Sequence, residues 1–310
     1  MGPMRMSHDS TPASPLGGSY RLGGRSVARI GYGAMQLRHL ERDPAAAIAL
    51  VRRAIELGVN HIDTAQFYGN GFVNGILREA VRPGDGVVIA SKVGADPNPG
   101  APVPIRLAQR PEQLKASVEA NLASLGLEQI PLVNLRRTDS GRVVAEGDQI
   151  VDLDDQIAAL VALRDEGKIG AIGLSAIDLD QLRRAATVGI ACVQNAYSLV
   201  SKQFEDMRLV CRDNAIAWVP FFPLGGAMAD MPKVTDQAAV VAIATRMAVT
   251  PAQVGLAWLL QSAANTLLIS GTVSIAHLAE NCAVGSIVLD EAAMAELDAL
   301  RLAALPHASH

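Results

Sequence analysis

Short apolar segments rich in β-branched residues alternate with longer segments of helical period from residue 29 onward. In the longer segments, apolar residues recur three and four positions apart, as in residues 44–57, 73–81, 111–125 and 153–166. The predicted strands are residues 30–35, 59–62, 87–90, 132–135, 171–174, 192–194, 218–221 and 267–269. Such alternation implies parallel strands joined by helical crossovers, and eight units in about 250 residues predict a closed α/β structure, the (β/α)8 TIM barrel.

A doubly wound dinucleotide-binding fold is the alternative for this pattern. That fold requires G-x-G-x-x-G directly after the first strand. Here Gly31 and Gly33 are followed by Gln36 at the place of the third glycine, so the barrel is favoured. Residues 21–29, with a Gly-Gly pair in the middle, predict a short β-hairpin that closes the N-terminal end of the barrel.

The chain is expected to form one domain with a short tail at each end. Residues 19–303 are assigned to the barrel, residues 1–18 to a disordered N-terminal tail and residues 304–310 to a C-terminal tail. The N-terminal tail is rich in Ser, Pro, Gly and Met and lacks the apolar run of a secretory signal. The three cysteines are widely spaced and form no CxxC pair, which predicts buried thiols in a cytoplasmic protein.

Charge and hydropathy exclude several function classes. The formal net charge is -4, with no basic excess to neutralise phosphates, so nucleic acid is not an expected partner. The apolar runs are far shorter than the roughly 20 residues that cross a bilayer, so no membrane association is expected. The six histidines are scattered without HxH or HExxH spacing, so no metal site is predicted.

The candidate chemistry lies directly after the second and third predicted strands. In a (β/α)8 barrel, residues at the C-terminal ends of the strands form the active site. Asp63 and Tyr68 follow the second strand and Lys92 follows the third. An ammonium beside a phenol stabilises the phenolate and lowers the pKa of the phenol, and a carboxylate keeps the ammonium charged. Taken alone, Asp63 fits a helix cap, Tyr68 an aromatic residue at the rim of the core, and Lys92 a surface lysine. Their joint placement predicts a proton-donating set.

The sequence resembles the aldo-keto reductase family from about residue 20 to residue 300. Seven motifs occur in the order and spacing of that family. They are GYGAM at 31–35, HIDTAQFYG at 61–69, ASK at 90–92, EGKI leading to IGLS at 166–175, VQNAY at 193–197, FFPLG at 221–225, and ISGT at 269–272 followed by EN at 280–281. The resemblance implies a reductase that uses NADPH, with Asp63, Tyr68 and Lys92 as its catalytic residues.

The resemblance also implies which residues hold the cofactor. Ser175 and Gln194 would bind the nicotinamide carboxamide, and Phe221 would offer an aromatic face to the nicotinamide ring. Thr272, Ser274 and His277 would lie near the ribose 2'-phosphate, although His277 also fits a solvated helix residue. The other implied cofactor residues are Pro223, Leu224 and Gly225 after the seventh strand, Gly271 after the eighth, and Glu280 and Asn281 near the adenine.

Two positions depart from the family pattern. Arg136 stands where the family has a histidine that points at the substrate carbonyl, and Ala176 stands where an asparagine is common. A guanidinium is permanently charged and offers several donors, so it polarises a carbonyl or holds an anionic oxygen without transferring a proton. The alternative for Arg136 is an outward pair with Asp139. With this arginine, GYGAMQL at 31–37 and FFPLGG at 221–226, the sequence resembles a bacterial subgroup that includes pyridoxal reductases. The substrate pyridoxal carries a phenolate oxygen on its pyridine ring.

The sequence therefore predicts an NADPH-dependent reduction of an aldehyde or ketone, including pyridoxal, by hydride transfer with Tyr68 as general acid. The expected partner is a small carbonyl compound, and the expected state is a monomer or a small homo-oligomer. The alternative is a nicotinamide-binding regulatory or sensor subunit with vestigial catalysis, because such relatives also lack the histidine. The intact Asp63, Tyr68 and Lys92 argue against that alternative.

Overall fold

The computed structural model describes residues 15–137, 145–226 and 231–300. The strands are β1 (Ser19–Leu22), β2 (Arg25–Ala28), β3 (Tyr32–Gly33), β4 (His61–Asp63), β5 (Val88–Val93), β6 (Ala95–Pro97), β7 (Ile105–Leu107), β8 (Leu132–Arg136), β9 (Ile172–Ser175), β10 (Cys192–Gln194) and β11 (Ala217–Trp218). The helices are α1 (Pro44–Glu56), α2 (Phe72–Ala80), α3 (Pro111–Leu125), α4 (Leu153–Asp165), α5 (Leu179–Ala185), α6 (Glu205–Asp213), α7 (Ala238–Met247), α8 (Pro251–Ser262), α9 (Ile275–Ala283) and α10 (Glu291–Asp298).

Seven parallel strands form the barrel in the order β3, β4, β5, β8, β9, β10, β11. The eighth position is taken by residues 266–268, which join the two edge strands through isolated bridges instead of a continuous ladder. Thr266 pairs with Trp218 on one side, and Leu268 pairs with Ile30 on the other. The amide of Leu268 donates to the carbonyl of Arg29 at 2.8 Å, so the sheet closes on itself. The predicted (β/α)8 barrel is confirmed.

The predicted first strand is too long. Only Tyr32–Gly33 pairs as strand, and residues 34–40, predicted in part as strand, form a 3-10 helix. Ala34 and Leu37 are fully buried, three residues apart, and this spacing places both on one side of a helical turn. The seventh strand is likewise short, Ala217–Trp218, although Phe221 still bridges to Ala196.

The predicted helices agree with the structure to within one residue at either end. α1 begins after Asp43, whose carboxylate accepts a hydrogen bond from the amide of Ala46 at 3.1 Å. α3 has the predicted bounds and ends at Gly126, which has a φ of +66°. Proline at the first position of α1 and of α3 supplies the helical φ where an amide donor is not needed.

The antiparallel hairpin of β1 and β2 closes the N-terminal end of the barrel, as predicted. Leu22 and Val27 from this hairpin pack inside the barrel against the lower residues of the strands. The lower residues of that cluster include Val88, Leu132, Ala217 and Leu267. An apolar floor therefore separates the lumen from solvent at this end.

The predicted boundary of the N-terminal tail is wrong at its last residues. The carbonyl of Leu16 accepts the amide of Arg29 at 3.0 Å, and the Leu16 side chain packs against the core. The Arg29 guanidinium also binds the carbonyls of Leu260 and Ala263 at the end of α8. Residues 15–18 thus belong to the barrel. Residues 1–14 and 301–310, which contain the rest of the predicted tails and the last predicted barrel residues, lie outside the described residues.

One element was not predicted. β6 and β7 form an antiparallel hairpin between β5 and α3, with Ala95 opposite Leu107. The intervening residues 98–104 contain three prolines, which favour a loop in a sequence-based interpretation. The hairpin follows the strand that carries Lys92 and therefore rises beside the C-terminal end of the barrel.

Candidate active site

Polar side chains face the lumen directly above its apolar floor. Val88 and Ala90 of β5 belong to the lumen cluster, and Lys92 follows on the same side because side chains alternate along a strand. Asp63 of β4 is paired in register with Ala90. Gln194 lies two residues beyond the lumen residue Cys192 on β10. The strand ends thus place a carboxylate, an ammonium and an amide in one layer.

Lys92 and Asp63 form a buried ion pair in this layer. Their side chains are only 8% and 6% exposed. The ammonium also donates to the carbonyl of Thr64 at 3.1 Å, and Gln194 Nε2 donates to the second Asp63 oxygen at 2.8 Å. Burial alone would lower the pKa of Lys92, but the Asp63 charge and the contact with Tyr68 outweigh it and raise that pKa. Lys92 therefore stays protonated at neutral pH.

Tyr68 lies on the turn between β4 and α2, against Lys92. Its ring centroid is 5.3 Å from Lys92 Nζ, and Phe67 packs edge-on against it with centroids 5.1 Å apart. Gly69 and Gly71 have φ of +59° and +87°, which turns the chain into α2 within a few residues. The sequence thus brings the three predicted catalytic residues together through two neighbouring parallel strands and a tight turn.

The expected lowering of the Tyr68 pKa is wrong in sign. Burial raises the pKa of Tyr68, and the Asp63 carboxylate raises it further. Lys92 and Arg136 lower it, as the sequence suggested, but the net pKa is raised because desolvation of a phenolate is the larger effect. Tyr68 is therefore a neutral phenol at neutral pH, with its proton available for transfer.

Arg136 ends β8 and lies in register with Ser175 of β9. Its backbone carbonyl accepts a hydrogen bond from Gln109 Nε2 at 2.9 Å, and the same nitrogen donates to Gly94 at 2.6 Å. Gln156, fully buried, holds Gln109 in turn by donating to its backbone carbonyl at 2.7 Å. These buried amides fix the ends of β5 and β8, so the backbone from which the guanidinium extends is rigid.

The Arg136 guanidinium carries an unused donor. Nη1 is buried and has no hydrogen-bond partner among the residues that the structure describes. Burial lowers the pKa of Arg136, and the neighbouring Tyr68 opposes this. A guanidinium remains charged through shifts of this kind. Asp139, the alternative partner considered for Arg136, lies outside the described residues.

Ser175 and Gln194 occupy the same level of the barrel on adjacent strands. They are paired in register, and both are buried. Gln194 Oε1 has no partner within the described ranges, so it is free to accept from an amide such as a nicotinamide carboxamide. Ala176 has a φ of +55°, a conformation that asparagine adopts more readily than alanine. The Ser175 and Gln194 positions fit the predicted cofactor end.

The segment after β11 places Phe221 at the rim of the lumen. Phe221 packs edge-on against Phe222, with centroids 5.0 Å apart. The predicted cofactor residues Pro223, Leu224 and Gly225 follow in a loop. This loop is tied to residues 232–234, since Gly225 bridges to Lys233 and the Leu224 carbonyl accepts the amide of Val234 at 3.0 Å. Phe221 and its loop are thus half-buried and held from both sides.

The predicted adenosine-end residues lie at the start of α9 and on its first turns. Ser274 caps the helix by accepting the amide of His277 at 3.3 Å, and Thr272 Oγ1 accepts the amide of Ser274 at 3.0 Å. His277 is exposed, and Gly271 precedes this cap. Glu280 and Asn281 are half-buried two turns along the helix. A helix N-terminus favours phosphate groups, so the arrangement fits the predicted phosphate end of the cofactor.

Two further features bear on the predicted partners. Within residues 15–137, 145–226 and 231–300, no group of three or more His, Cys, Asp or Glu side chains is placed to hold a metal ion. No single helix in those ranges is long and apolar enough to cross a bilayer. α7 and α8 together reach that length but are bent by 96°.

The closed barrel carries a phenol, an ammonium and a carboxylate together at its C-terminal mouth, an arrangement that fits an oxidoreductase. The aldo/keto reductase family profile matches residues 29–302. The chain belongs to the aldo/keto reductase family, and the predictions of the family and of an oxidoreductase are confirmed.

Individual relatives extend this result. The chain is 38% identical to pyridoxine 4-dehydrogenase of Escherichia coli, over 91% of this chain and 98% of that protein. It is 32% identical to an uncharacterized oxidoreductase of Schizosaccharomyces pombe, over 91% of this chain and 89% of the relative. An aldo-keto reductase from Klebsiella pneumoniae, crystallised with NADPH, is similar with a TM-score of 0.75 and 25% identity, over 90% of this chain and 93% of that one.

Proposed function

We propose that this protein reduces an aldehyde or ketone to the alcohol by hydride transfer from NADPH, with Tyr68 as the general acid. The observation that carries the proposal is the buried contact of Lys92 with Asp63 on one side and Tyr68 on the other. This set keeps an ammonium charged beside a neutral phenol at the mouth of the barrel. NADPH is the cofactor bound by the similar Klebsiella structure.

The residues of the chain supply the proton side of the reaction. NADPH, when bound, supplies the hydride that forms the new carbon–hydrogen bond. Tyr68 donates its proton to the carbonyl oxygen, so hydride and proton together convert the carbonyl to the alcohol. The phenolate left on Tyr68 is stabilised by Lys92, whose charge Asp63 maintains. Positioned general acids of this kind contribute about 10²- to 10⁴-fold in rate.

The chain offers matching groups at both ends of the cofactor. Gln194 Oε1 and Ser175 would hold the carboxamide, and Phe221 would lie against the nicotinamide ring. The start of α9 would hold the phosphate end. Gln194 Oε1 has no partner among the described residues, which supports a dinucleotide lying across the C-terminal end of the barrel.

We further propose pyridoxal as a substrate, reduced to pyridoxine. The relative from Escherichia coli is named for the reverse reaction, pyridoxine oxidation, and it covers nearly the whole chain. The unused Nη1 donor of Arg136 supports the same substrate, because a permanent cation suits the phenolate oxygen next to the aldehyde of pyridoxal. Arg136 would then bind an anion and would not transfer a proton.

A steady-state assay with NADPH tests this function. Pyridoxal is compared with a panel of aldehydes and ketones, and with a similar pyridine aldehyde that lacks the ring hydroxyl. We expect kcat/KM for pyridoxal to be higher by about tenfold, or about 1.4 kcal/mol in transition-state binding. A flat panel would indicate a general carbonyl reductase. Tight NADPH binding without oxidation of any carbonyl would indicate the regulatory or sensor subunit.

We also propose that the enzyme acts in the cytoplasm, as a monomer or a small homo-oligomer. Cys192, Cys211 and Cys282 are all buried and free. Free buried thiols are the usual state of cysteine in a reducing compartment. Size-exclusion chromatography with light scattering gives the oligomeric state.

A further inference from the structure

A group of buried and half-buried polar side chains lies behind the catalytic strands, on the side facing the helices. We name it the amide cluster, and it comprises Gln66, Asn74, Ser91, Asn121 and Ser124. Asn74 belongs to α2 and Asn121 to α3, and both are 0% exposed. Ser91 precedes Lys92 on β5, so its side chain points to the opposite face of the strand, away from the lumen in which Asp63 and Lys92 meet.

Asn74 connects the cluster to the segment that carries Asp63 and Tyr68. Its Oδ1 accepts the Thr64 hydroxyl at 2.8 Å. Its Nδ2 lies 2.8 Å from Gln66 Oε1, 3.0 Å from Ser124 Oγ and 3.1 Å from Asn121 Oδ1. Thr64 follows Asp63 directly, and Gln66 precedes Tyr68 by two residues. Asn74 thus holds this segment at two points.

Asn121 connects the cluster to the strand that carries Lys92. Its Oδ1 accepts the Ser91 hydroxyl, and its Nδ2 donates to the Ser117 carbonyl at 2.9 Å and lies 3.5 Å from the Lys92 carbonyl. Because Asn74 also donates to Asn121, one continuous chain of hydrogen bonds runs from Thr64 to Ser91. The two ends of that chain are the neighbours of Asp63 and Lys92.

Packing does not explain the amide cluster. Helices on the outside of a barrel usually bury apolar side chains against the strands, as Val73, Ile76 and Leu77 do here. Burying an amide costs about 1–3 kcal/mol unless its hydrogen bonds are made, and apolar groups of the same shape avoid that cost. Asn74 and Asn121 replace two apolar contacts with directional ones, which fix the spacing of two strand ends more precisely.

We propose that Asn74 and Asn121 are positioning residues of the reductase, which set the separation of Asp63, Tyr68 and Lys92 through the backbone of β4 and β5. The proposal rests on the proposed function, since it assigns these residues a role in proton donation by Tyr68. They touch neither substrate nor cofactor. Their effect should therefore appear in kcat and in the ionisation of Tyr68, and should leave NADPH binding intact.

The test uses Asn74→Leu and Asn121→Leu in the full chain, with Asn265→Leu as the matched control. Asn265 is also buried and donates to the Ile216 carbonyl at 2.9 Å, its Oδ1 has no partner among the described residues, and it lies at the opposite end of the barrel. For each protein we would measure kcat, the Kd of NADPH, Tm, and the ionisation of Tyr68 by ultraviolet difference titration without cofactor. Tyr68→Phe identifies the signal of Tyr68 in that titration.

We expect kcat to fall by about tenfold or more in both variants, with the Kd of NADPH within about threefold. The pKa of Tyr68 should rise in both, because its phenolate loses close contact with Lys92. Asn265→Leu removes a single hydrogen bond and should change neither kcat nor the pKa of Tyr68. Ser91→Ala removes a single hydroxyl and should shift kcat and the pKa in the same direction, by less, if a leucine variant does not fold.

An unchanged Tyr68 titration, or a kcat loss no greater than that of Asn265→Leu, would overturn the positioning role. The titration also separates this proposal from the proposed function. If Tyr68→Phe retains full activity, the catalytic assignment fails, but a shifted titration in Asn74→Leu and Asn121→Leu still supports positioning. If Tyr68→Phe is inactive and the titration is unshifted, only the positioning role fails.

Discussion

The two halves of the barrel mouth differ in how far their polar groups are already paired. In the catalytic half, formed by β4 and β5, Asp63 and Lys92 bind each other, and Gln194 and the Thr64 carbonyl complete their hydrogen bonds. Arg136 of β8, whose Nη1 has no partner among the described residues, lies between the two halves. In the cofactor half, from β9 to the start of α9, Gln194 Oε1 and Ser270 Oγ are buried without partners among the described residues. Gln194 lies at the boundary and serves both halves.

This difference separates what the fold prepares from what a ligand completes. Charged groups that are oriented in advance need no rearrangement when charge develops in the transition state. A buried polar atom without a partner costs about 1–3 kcal/mol, and a ligand that supplies the partner recovers that cost as affinity. Substitutions in the catalytic half should therefore lower kcat, whereas substitutions in the cofactor half should raise the Kd of NADPH.

Tyr68→Phe should give the largest separation of the two halves. It removes the proton donor without altering the cofactor half, so kcat should fall by about a thousandfold. The Kd of NADPH, measured by fluorescence titration, should change by less than about threefold. A comparable loss in both quantities would show that the halves are not independent. Full activity in this variant would exclude Tyr68 as the acid.

His61 tests whether the catalytic strand is prepared in the absence of ligand. It lies two residues before Asp63 and is 1% exposed, and burial lowers its pKa from 6.5 to about 4, against the opposing effect of the backbone groups of Leu268 and Ala28. The unfolded chain binds a proton more tightly in this range, so stability is lost as pH falls from 6.5 toward 4. The shift corresponds to about 3 kcal/mol.

His61→Gln should therefore reduce the loss of unfolding free energy between pH 6.5 and pH 4 by about that amount, in urea denaturation. His277→Gln, at an exposed histidine of α9, is the control for replacing an imidazole by an amide. An identical pH dependence in wild type and His61→Gln would mean that His61 is accessible to protons in the folded protein.

Arg136→Met should have a smaller and substrate-dependent effect. If the guanidinium holds the phenolate oxygen of pyridoxal, kcat/KM for pyridoxal should fall by about tenfold or more, or about 1.4 kcal/mol. The pyridine aldehyde without the ring hydroxyl should lose less. Equal losses for both substrates would instead assign Arg136 to the carbonyl or to the pKa of Tyr68, which it lowers in the structure.

Ser175→Ala should have the smallest effect, confined to the cofactor half. The loss of one hydrogen bond weakens NADPH binding by about fivefold, or about 1 kcal/mol, and should leave kcat at saturating NADPH nearly unchanged. Ser286→Ala is the matched control, because its hydroxyl donates to the Ala283 carbonyl on the outside of the barrel. A fall in kcat would place Ser175 in the catalytic half.

The sequence was most informative where consecutive elements determine the neighbours. Asp63 and Lys92 follow consecutive strands of a βα repeat, so parallel pairing of β4 with β5 brings them together without further information. The hairpin of β1 and β2 was predicted for a similar reason, since its pairing is local. The Arg136 position followed from the family pattern, and β8 places it beside the same lumen.

The remaining features depend on contacts between elements that are distant in sequence. The raised pKa of Tyr68 depends on burial, which no local pattern gives. Asn74, Asn121 and Gln109 gain their partners only when α2, α3 and α4 pack on the strands. One signal was present: Asn121 falls on the apolar stripe of α3 that contains Leu114, Val118 and Leu125. An amide in such a stripe implies a buried partner without identifying it.

Residues 266–268 close the barrel and form a seam that has fewer backbone pairs than the ladder of β5 and β8. β5 and β8 share four register pairs, whereas the eighth position is joined by single bridges to Ile30 and Trp218. Backbone amides at a sparsely bonded edge exchange with solvent through small openings that leave the rest of the barrel closed. Deuterium should thus enter at this seam before it enters the ladder of β5 and β8. Because Gly271 and the start of α9 follow it directly, bound dinucleotide should slow that exchange more than it slows exchange in β5.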